Sequence, residues 1–408
     1  MDVTLLRKRG LLPLLAAQVV SSLGSQMTFL ALPWFVLVTT GSPTKMGIVL
    51  AAELAPIALL GIPSGTLVAR LGARRTMLVG DAGRAPLLAA IPILHATGLL
   101  SFPLLLVCVA LVGVFIAPYY ASQRVILPEI VGEDEKLVAQ ANAFVEAATR
   151  VTALLGPAAA GVLIASVGST NVLYVDAATF AFSFLMLRLF VPRRPTLAGT
   201  EASRGLLAGV RYLFADRLLG TLTLTSLLSN GFGQMLVASL PVLAFQDFGQ
   251  SSKVAGALFG SFGAGAVLGS IVAMKVMHRF DPIRLGAFAF AGLVLPLWLL
   301  GFNLPAIGVM AVLFVSSIFG PLVNAPLIAV LTTRTPEALR PKVMTAVLTF
   351  ALLAGPVALV AVGPLLGAVG VHGVFVVVAA GQSAAVSLFA IVALRRREDP
   401  PEVIAAPV

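Results

Sequence analysis

The chain has 408 residues, of which 59% are hydrophobic and only 11% charged, a balance that excludes a soluble globular domain and requires lipid as solvent. Its formal charge of +10 would suit a nucleic-acid partner, but the cations form no stripe with aromatic residues and sit in short clusters between apolar runs, which excludes that class. Cys108, the only cysteine, lies within an apolar run and can form no internal disulfide.

In chain order, Arg7, Lys8 and Arg9 precede an apolar run from Leu11 to Thr39. That run is much longer than the signal-peptide core of about 7 to 15 residues, so it reads as an uncleaved first span. Crossing about 30 Å of hydrocarbon takes roughly 20 helical residues. Cutting the apolar runs at Gly, Pro and charge clusters predicts twelve such helices: 12–39, 46–69, 76–98, 102–127, 138–167, 170–191, 217–246, 253–277, 283–302, 305–332, 342–368 and 371–394. The stretch from Pro192 to Asp216 is basic, is broken by Pro192 and Pro195, and reads as a cytoplasmic linker. The expected organisation is an all-α membrane protein with a six-helix half over 1–191, the linker over 192–216, a second six-helix half over 217–396 and a disordered tail over 397–408.

An even number of spans puts both termini on one side. With twelve, 25 of the 27 Lys and Arg residues fall on that side and only Lys45 and Lys253 opposite. The positive-inside rule makes it the cytoplasm. The halves also echo one another. Pro128-Glu129 recurs as Pro336-Glu337, Ser22 and Gln26 recur as Asn230 and Gln234, and Gly156-Pro157 recurs as Gly355-Pro356. Matches in corresponding helices favour a six-plus-six duplication, a device of transporters that rock one half against the other.

The segment Gln123 to Phe182 carries QRVILPEIV, QANAF, LLGPAAAGVLIASVG and DAATFAF in order. It resembles the major facilitator superfamily, in particular the bacterial drug and siderophore exporter branch of drug:proton antiporters that includes macrolide-efflux-like proteins. The loop after the second span is similar to that superfamily's signature at Gly65, Arg70, Gly72 and Arg74, with Arg75 beside it, and departs from it at Ala69 and Ala73. The resemblance implies a gating role for this loop, and Asp81 with Arg84 would substitute for the missing acidic latch. Gly156, Pro157 and Gly161 resemble the antiporter motif of the fifth span, with Ala160 where a second glycine is usual. Physics agrees, because a Gly-Pro pair inside a spanning helix removes a backbone hydrogen bond and small residues admit a neighbouring backbone. The fourth span lacks the embedded arginine of many such exporters, since Arg124 sits near its end.

A carboxylate near the bilayer centre costs at least about 2.5 kcal/mol on insertion scales, so each needs a reason. Glu53 and Asp176 lie well inside their spans without a cation in sequence reach, and burial favours the protonated form of such groups, which suits proton coupling. Glu146 is a third candidate, although Arg150 four residues on predicts an ion pair. Gln18, Ser22 and Gln26 share one helix face, as do Asn230 and Gln234. Interhelical hydrogen bonding would account for both stripes. By resemblance they line a central substrate cavity completed by Phe115, Tyr119, Tyr120 and Asn324, suited to a neutral or cationic amphiphile.

His95, His278 and His372 are scattered, with no GxSxG, no metal-ligand spacing and no phosphate-binding loop in the sequence, so neither an enzyme nor a self-contained ATP pump is expected. The expected protein is a monomeric exporter of small molecules in the bacterial cytoplasmic membrane. Its partners are substrate, protons and lipid, and it needs no cofactor or metal. A facilitator-type or proton-coupled importer is the competing reading. Reporter fusions after Arg397 and within 197–203 should both report cytoplasm, and a periplasmic signal from either would end the twelve-span topology.

Overall fold

A computed structural model describes residues 10–132, 134–192, 206–276, 279–280, 282–335 and 339–395. Among them there is no strand. The first half comprises α1 (Leu11–Thr40), α2 (Pro43–Leu71), α3 (Ala73–Ala96), α4 (Phe102–Val131), α5 (Glu135–Val167) and α6 (Ser169–Phe190). The second comprises α7 (Arg217–Gln246), α8 (Ser252–Val276), α9 (Pro282–Val294) and α10 (Ala306–Arg334). It ends in one helical run, Arg340–Arg395, broken at Gly370 (φ 70) into α11 (340–369) and α12 (371–395). Among the described residues, ten helical runs are long and apolar enough to span a membrane. One of these contains the break at Gly370, and α9 becomes a full-length span by continuing as a 3-10 helix over Leu295–Gly301, giving the twelve predicted. The change of winding starts beside Pro296, which supplies no N–H for the regular ladder.

Local sequence sets the turns. Between α1 and α2, Gly41 takes φ 62, which favours glycine, Ser42 accepts a hydrogen bond from the Lys45 N–H at 3.3 Å, and Pro43 occupies the first turn where no donor is needed. Asp134 opens α5 likewise, accepting from the N–H groups of Lys136 and Leu137. The predicted linker holds a feature absent from the sequence reading. Within it, Leu206–Ala215 forms a short helix that packs on the C-terminal half, with Leu213 fully buried and Phe214 edge-on to Phe350 at 5.7 Å. Residues 193–205, the tail, Pro336 and Glu337 lie outside the described residues.

The halves are alike in packing. In the first, α1 packs on α6, α2 on α4 and α3 on α4; in the second, α7 packs on the α11–α12 run, α8 on α10 and α9 on α10. Between halves, α2 meets α11 and α5 meets α8, so exchanging equivalent helices maps each contact onto the other. Both junctions are made by glycine. A carbon added at Gly161 of α5 would stand 2.6 Å from the Ser252 carbonyl oxygen and 2.8 Å from the Gly256 Cα, and one added at Gly47 of α2 would stand 2.6 Å from the Leu359 carbonyl oxygen. Ser252 also donates to the Gly161 carbonyl at 3.0 Å. These contacts lie toward the ends of the helices away from the termini. The largest apolar core cluster, including Trp34, Phe35 and Phe375, lies there too and joins the halves.

Glycine does the same work inside the second half, where Gly269 of α8 abuts the Ile318 carbonyl of α10. Gly269→Leu should overpack that seam and cost about 1–3 kcal/mol, lowering the unfolding temperature of the detergent-purified protein. Gly367→Ala, with nothing within 4 Å, should not lower it. Equal unfolding temperatures for both variants would remove close approach as the reason for glycine at 269.

Candidate functional site

Below the glycine junctions, on the side of the termini, the halves enclose a cavity of about 1130 Å³ lined by α5, α7, α8, α9 and α10 with Gln382 of α12. Most of its wall is apolar, including Val151, Phe262, Ile271 and Phe290. Its polar groups are mostly held by hydrogen bonds or ion pairs. Arg150 pairs with Glu146 at 2.9 Å and donates to Ser270 Oγ at 3.1 Å, a bond from α5 to α8 that crosses between halves. Ser229 and Gln382 exchange hydrogen bonds of 2.9 and 3.0 Å between α7 and α12. Asn230 and Gln234, which share one face of α7, line this cavity, with Asn230 Nδ2 donating to the Ser226 carbonyl.

The stripe on α1 goes elsewhere. Gln18, Ser22 and Gln26 surround a separate notch of about 50 Å³ together with Tyr119, Tyr120, Gln123, Thr149 and Arg84. Helix α5 divides the two spaces, for Phe144, Val145, Ala148 and Thr149 face the notch while Ala143, Glu146, Ala147, Arg150 and Val151 face the cavity. The α1 stripe and the α7 stripe thus line different spaces. Ser22 binds Thr152 of α5 at 2.9 Å, as interhelical bonding requires, and Gly156 lets the Gln26 backbone approach α5. Phe115 lines neither space and packs over Gly83 of α3. The Asn324 side chain lies outside the described residues, as does that of Arg124.

The carboxylates have different surroundings. Asp176 is buried and accepts from Thr28 Oγ1 at 2.6 Å and Thr179 Oγ1 at 3.0 Å, so it ties α6 to α1. Asp81 is fully buried, accepting from Arg84 Nη2 at 2.7 Å and from Ser183 Oγ at 2.6 Å. Arg84 lies between two rings, 4.1 Å from the Tyr119 centroid and 4.2 Å from that of Phe180. Each desolvated cation–π contact of this kind contributes about 2 kcal/mol. This pair stands roughly 10 Å along α3 from Arg74 and inside the N-terminal half, where the resemblance placed a latch at the loop. Glu53 on α2 is half-buried, and among the described residues no hydrogen bond or ion pair reaches its carboxyl; Asp176 is a charge within its electrostatic reach. Gly113 of α4 admits its backbone carbonyl.

In the signature loop, Gly72 takes φ 82 between α2 and α3, while Gly65, Arg70 and Arg75 are exposed. Arg74 reaches the end of α6, donating to the carbonyls of Val191 at 2.7 Å and Arg188 at 2.9 Å, where a helix C-terminus offers unsatisfied acceptors. Sequence reading missed the Arg150–Ser270 bond, the hydroxyl partners of Asp81 and Asp176, and the part of α8 and α9 in the cavity wall. Periodicity marks a polar face but does not say which helix it meets.

The family model described as Major Facilitator Superfamily matches residues 14–302 and again 222–407. The chain is 29% identical over 383 residues to the multidrug efflux pump Tap of Mycolicibacterium fortuitum, covering 90% of this chain and 92% of that one. It is 24% identical over 266 residues to the staphyloferrin A transporter of Staphylococcus aureus, covering 64% and 66%. Among solved structures, the nucleoside transporter NupG has a TM-score of 0.74 at 13% identity, covering 95% of this chain and 99% of that one. An inward-facing, unoccupied bacterial homologue of the human lysosomal transporter Spinster has a TM-score of 0.74 at 14% identity, covering 94% and 95%. At such identities the likeness is one of fold. Two six-helix halves joined through α2–α11 and α5–α8 around a cavity, and a family model matched along nearly the whole chain, place this protein in the Major Facilitator Superfamily of membrane transporters.

Proposed function

We propose that the protein exports small amphiphilic molecules across a bacterial cytoplasmic membrane by alternating access, driven by proton antiport. The observation that carries this reading is the 1130 Å³ cavity, shut at one end by glycine contacts between the halves and lying on the side of the termini. If the cation-rich side is cytoplasm, this is the conformation that receives substrate from within. The apolar wall with a single mutually paired acid and base favours a neutral or cationic amphiphile, a drug-like compound, antibiotic or siderophore, over a strongly charged solute. Relatives named as multidrug efflux pumps support export as the direction.

For the cycle to turn, α5 must part from α8 and α2 from α11 at the glycine junctions. Gly156, Pro157 and Gly161 on α5, and the loop from Gly65 to Arg75, are therefore assigned to gating. Glu53 is assigned to coupling, because it is half-buried without a described hydrogen-bond partner, whereas hydroxyls hold Asp176 and Arg150 holds Glu146. A potential of 100 mV supplies about 2.3 kcal/mol per charge and a pH unit about 1.4, so one proton sustains a gradient of a few hundredfold.

Ethidium, a fluorescent lipophilic cation, provides the test in proteoliposomes with an imposed proton gradient. Glu53→Gln keeps shape and hydrogen-bonding capacity but cannot titrate. It should abolish uphill export and leave downhill exchange largely intact. Normal uphill export by Glu53→Gln with failure of Asp176→Asn would move the role to α6, and uphill export by both would exclude coupling through either. Net accumulation in whole cells expressing the protein would reverse the direction to import.

A further inference from the structure

The notch beside α5 has three properties that the cavity lacks. Its volume of about 50 Å³ is too small for a drug-sized body, yet has room for several waters, each needing about 10–15 Å³. Gln18, only 5% exposed, lines it with both ends of its amide unpartnered. A buried amide carries a large penalty unless something hydrogen-bonds it, and a polar space of this size supplies that partner as water. Finally, the notch ends on hydroxyls that lead to a carboxylate. Tyr119 lines it, with its hydroxyl 3.4 Å from Ser183 Oγ, and Ser183 donates to Asp81 Oδ2 at 2.6 Å.

Resting on the reading of the protein as a proton-driven exporter, we propose that this notch is a hydrated proton port and that Asp81, behind Tyr119 and Ser183, is a proton-carrying carboxylate. In the transfer a protonated water gives a proton to the Tyr119 oxygen as Tyr119 passes its own to Ser183 and Ser183 passes its own to Asp81 Oδ2. The water cluster loses one proton, Asp81 gains one, and both hydroxyls are restored. Neutralising Asp81 breaks the charge pair with Arg84 but does not strand the guanidinium, which stays between the rings of Tyr119 and Phe180 and keeps its bond to the Gly80 carbonyl. Among the described residues the charged or titratable groups about Asp81 are Arg84 on its own helix, Tyr119 on α4 and Asp176 on α6, while Gln18 of α1 faces the notch uncharged. The port and the substrate cavity are on opposite faces of α5, so a proton passes between Asp81 and the notch water, in either direction, without crossing the substrate's path. In antiport this conformation runs the relay in reverse to release the proton.

The test is an infrared titration of the full chain in lipid nanodiscs, with neither substrate nor gradient, so its outcome does not depend on uphill export. On acidification the wild type should gain a protonated carboxyl band that Asp81→Asn lacks and Asp81→Glu retains at a shifted frequency. Its hydrogen–deuterium exchange should be fast. Gln18→Leu replaces the buried amide by an apolar group and so removes the water's partner there, and Ser183→Ala cuts the relay while leaving the Asp81–Arg84 pair. Each should slow that exchange by about tenfold or more, since deuterium then waits on opening of the bundle. Absence of an Asp81-dependent band would mean ordered water only and would overturn the proposal. So would wild-type exchange in either Gln18→Leu or Ser183→Ala, provided the variant elutes as the native species. Failure of ethidium to move uphill, with the band and its slowing intact, would overturn the antiport reading alone.

Discussion

Lipid tails are as apolar as leucine, so burying apolar side chains drives helices out of water but does not drive them against one another. Close backbone approach must do that, and this structure obtains it from glycine. Gly161 against Ser252 and Gly256, Gly47 against Leu359 and Gly269 against Ile318 are the seams on which everything else depends. A seam made of dispersion and short contacts, with few hydrogen bonds across it, is strong when shut and leaves no unsatisfied charge when opened. The two inter-half junctions have that character, while the bonds that would be costly to lose, such as Thr28 to Asp176, lie within one half.

The same economy governs the polar groups. All three carboxylates placed well inside the N-terminal half, Glu53, Asp81 and Asp176, are on α2, α3 and α6, away from the cavity wall. Those with full partner sets, Asp81 and Asp176, bind one half together. Glu146 and Arg150 are the exception, for they face the cavity, neutralise each other and reach across to Ser270. Charge in the cavity is thus present but balanced, and most of the remaining wall is apolar.

The spans were legible because hydrocarbon thickness sets a length that composition reveals directly, and Gly370 and Pro296 explain the two places where the helices depart from simple rods. Duplication was legible from paired positions, and the packing of equivalent helices agrees with it. The division of the polar residues was not. A four-residue spacing puts Gln18, Ser22 and Gln26 on one face of α1, but whether that face meets the cavity or the inside of its own half depends on how α1 is rotated against α5. That rotation is fixed by contacts such as Ser22 to Thr152 and Gly156 to the Gln26 backbone, between residues some 130 positions apart. Hydroxyl partners such as Ser183 and Thr28 were hidden for a related reason, since one serine in an apolar run resembles any other until its neighbour is known.

Helix α5 is bounded by two spaces, the notch on one face and the cavity on the other, and its far end is the glycine seam with α8. It is therefore a party wall. Whatever tilts or turns it reshapes both rooms at once, so the contents of one are bound to be felt in the other without any chain of residues running between them. A molecule swelling the cavity and a rearrangement in the notch would push on the same partition from opposite sides, and mutual exclusion or mutual permission would then be a matter of carpentry.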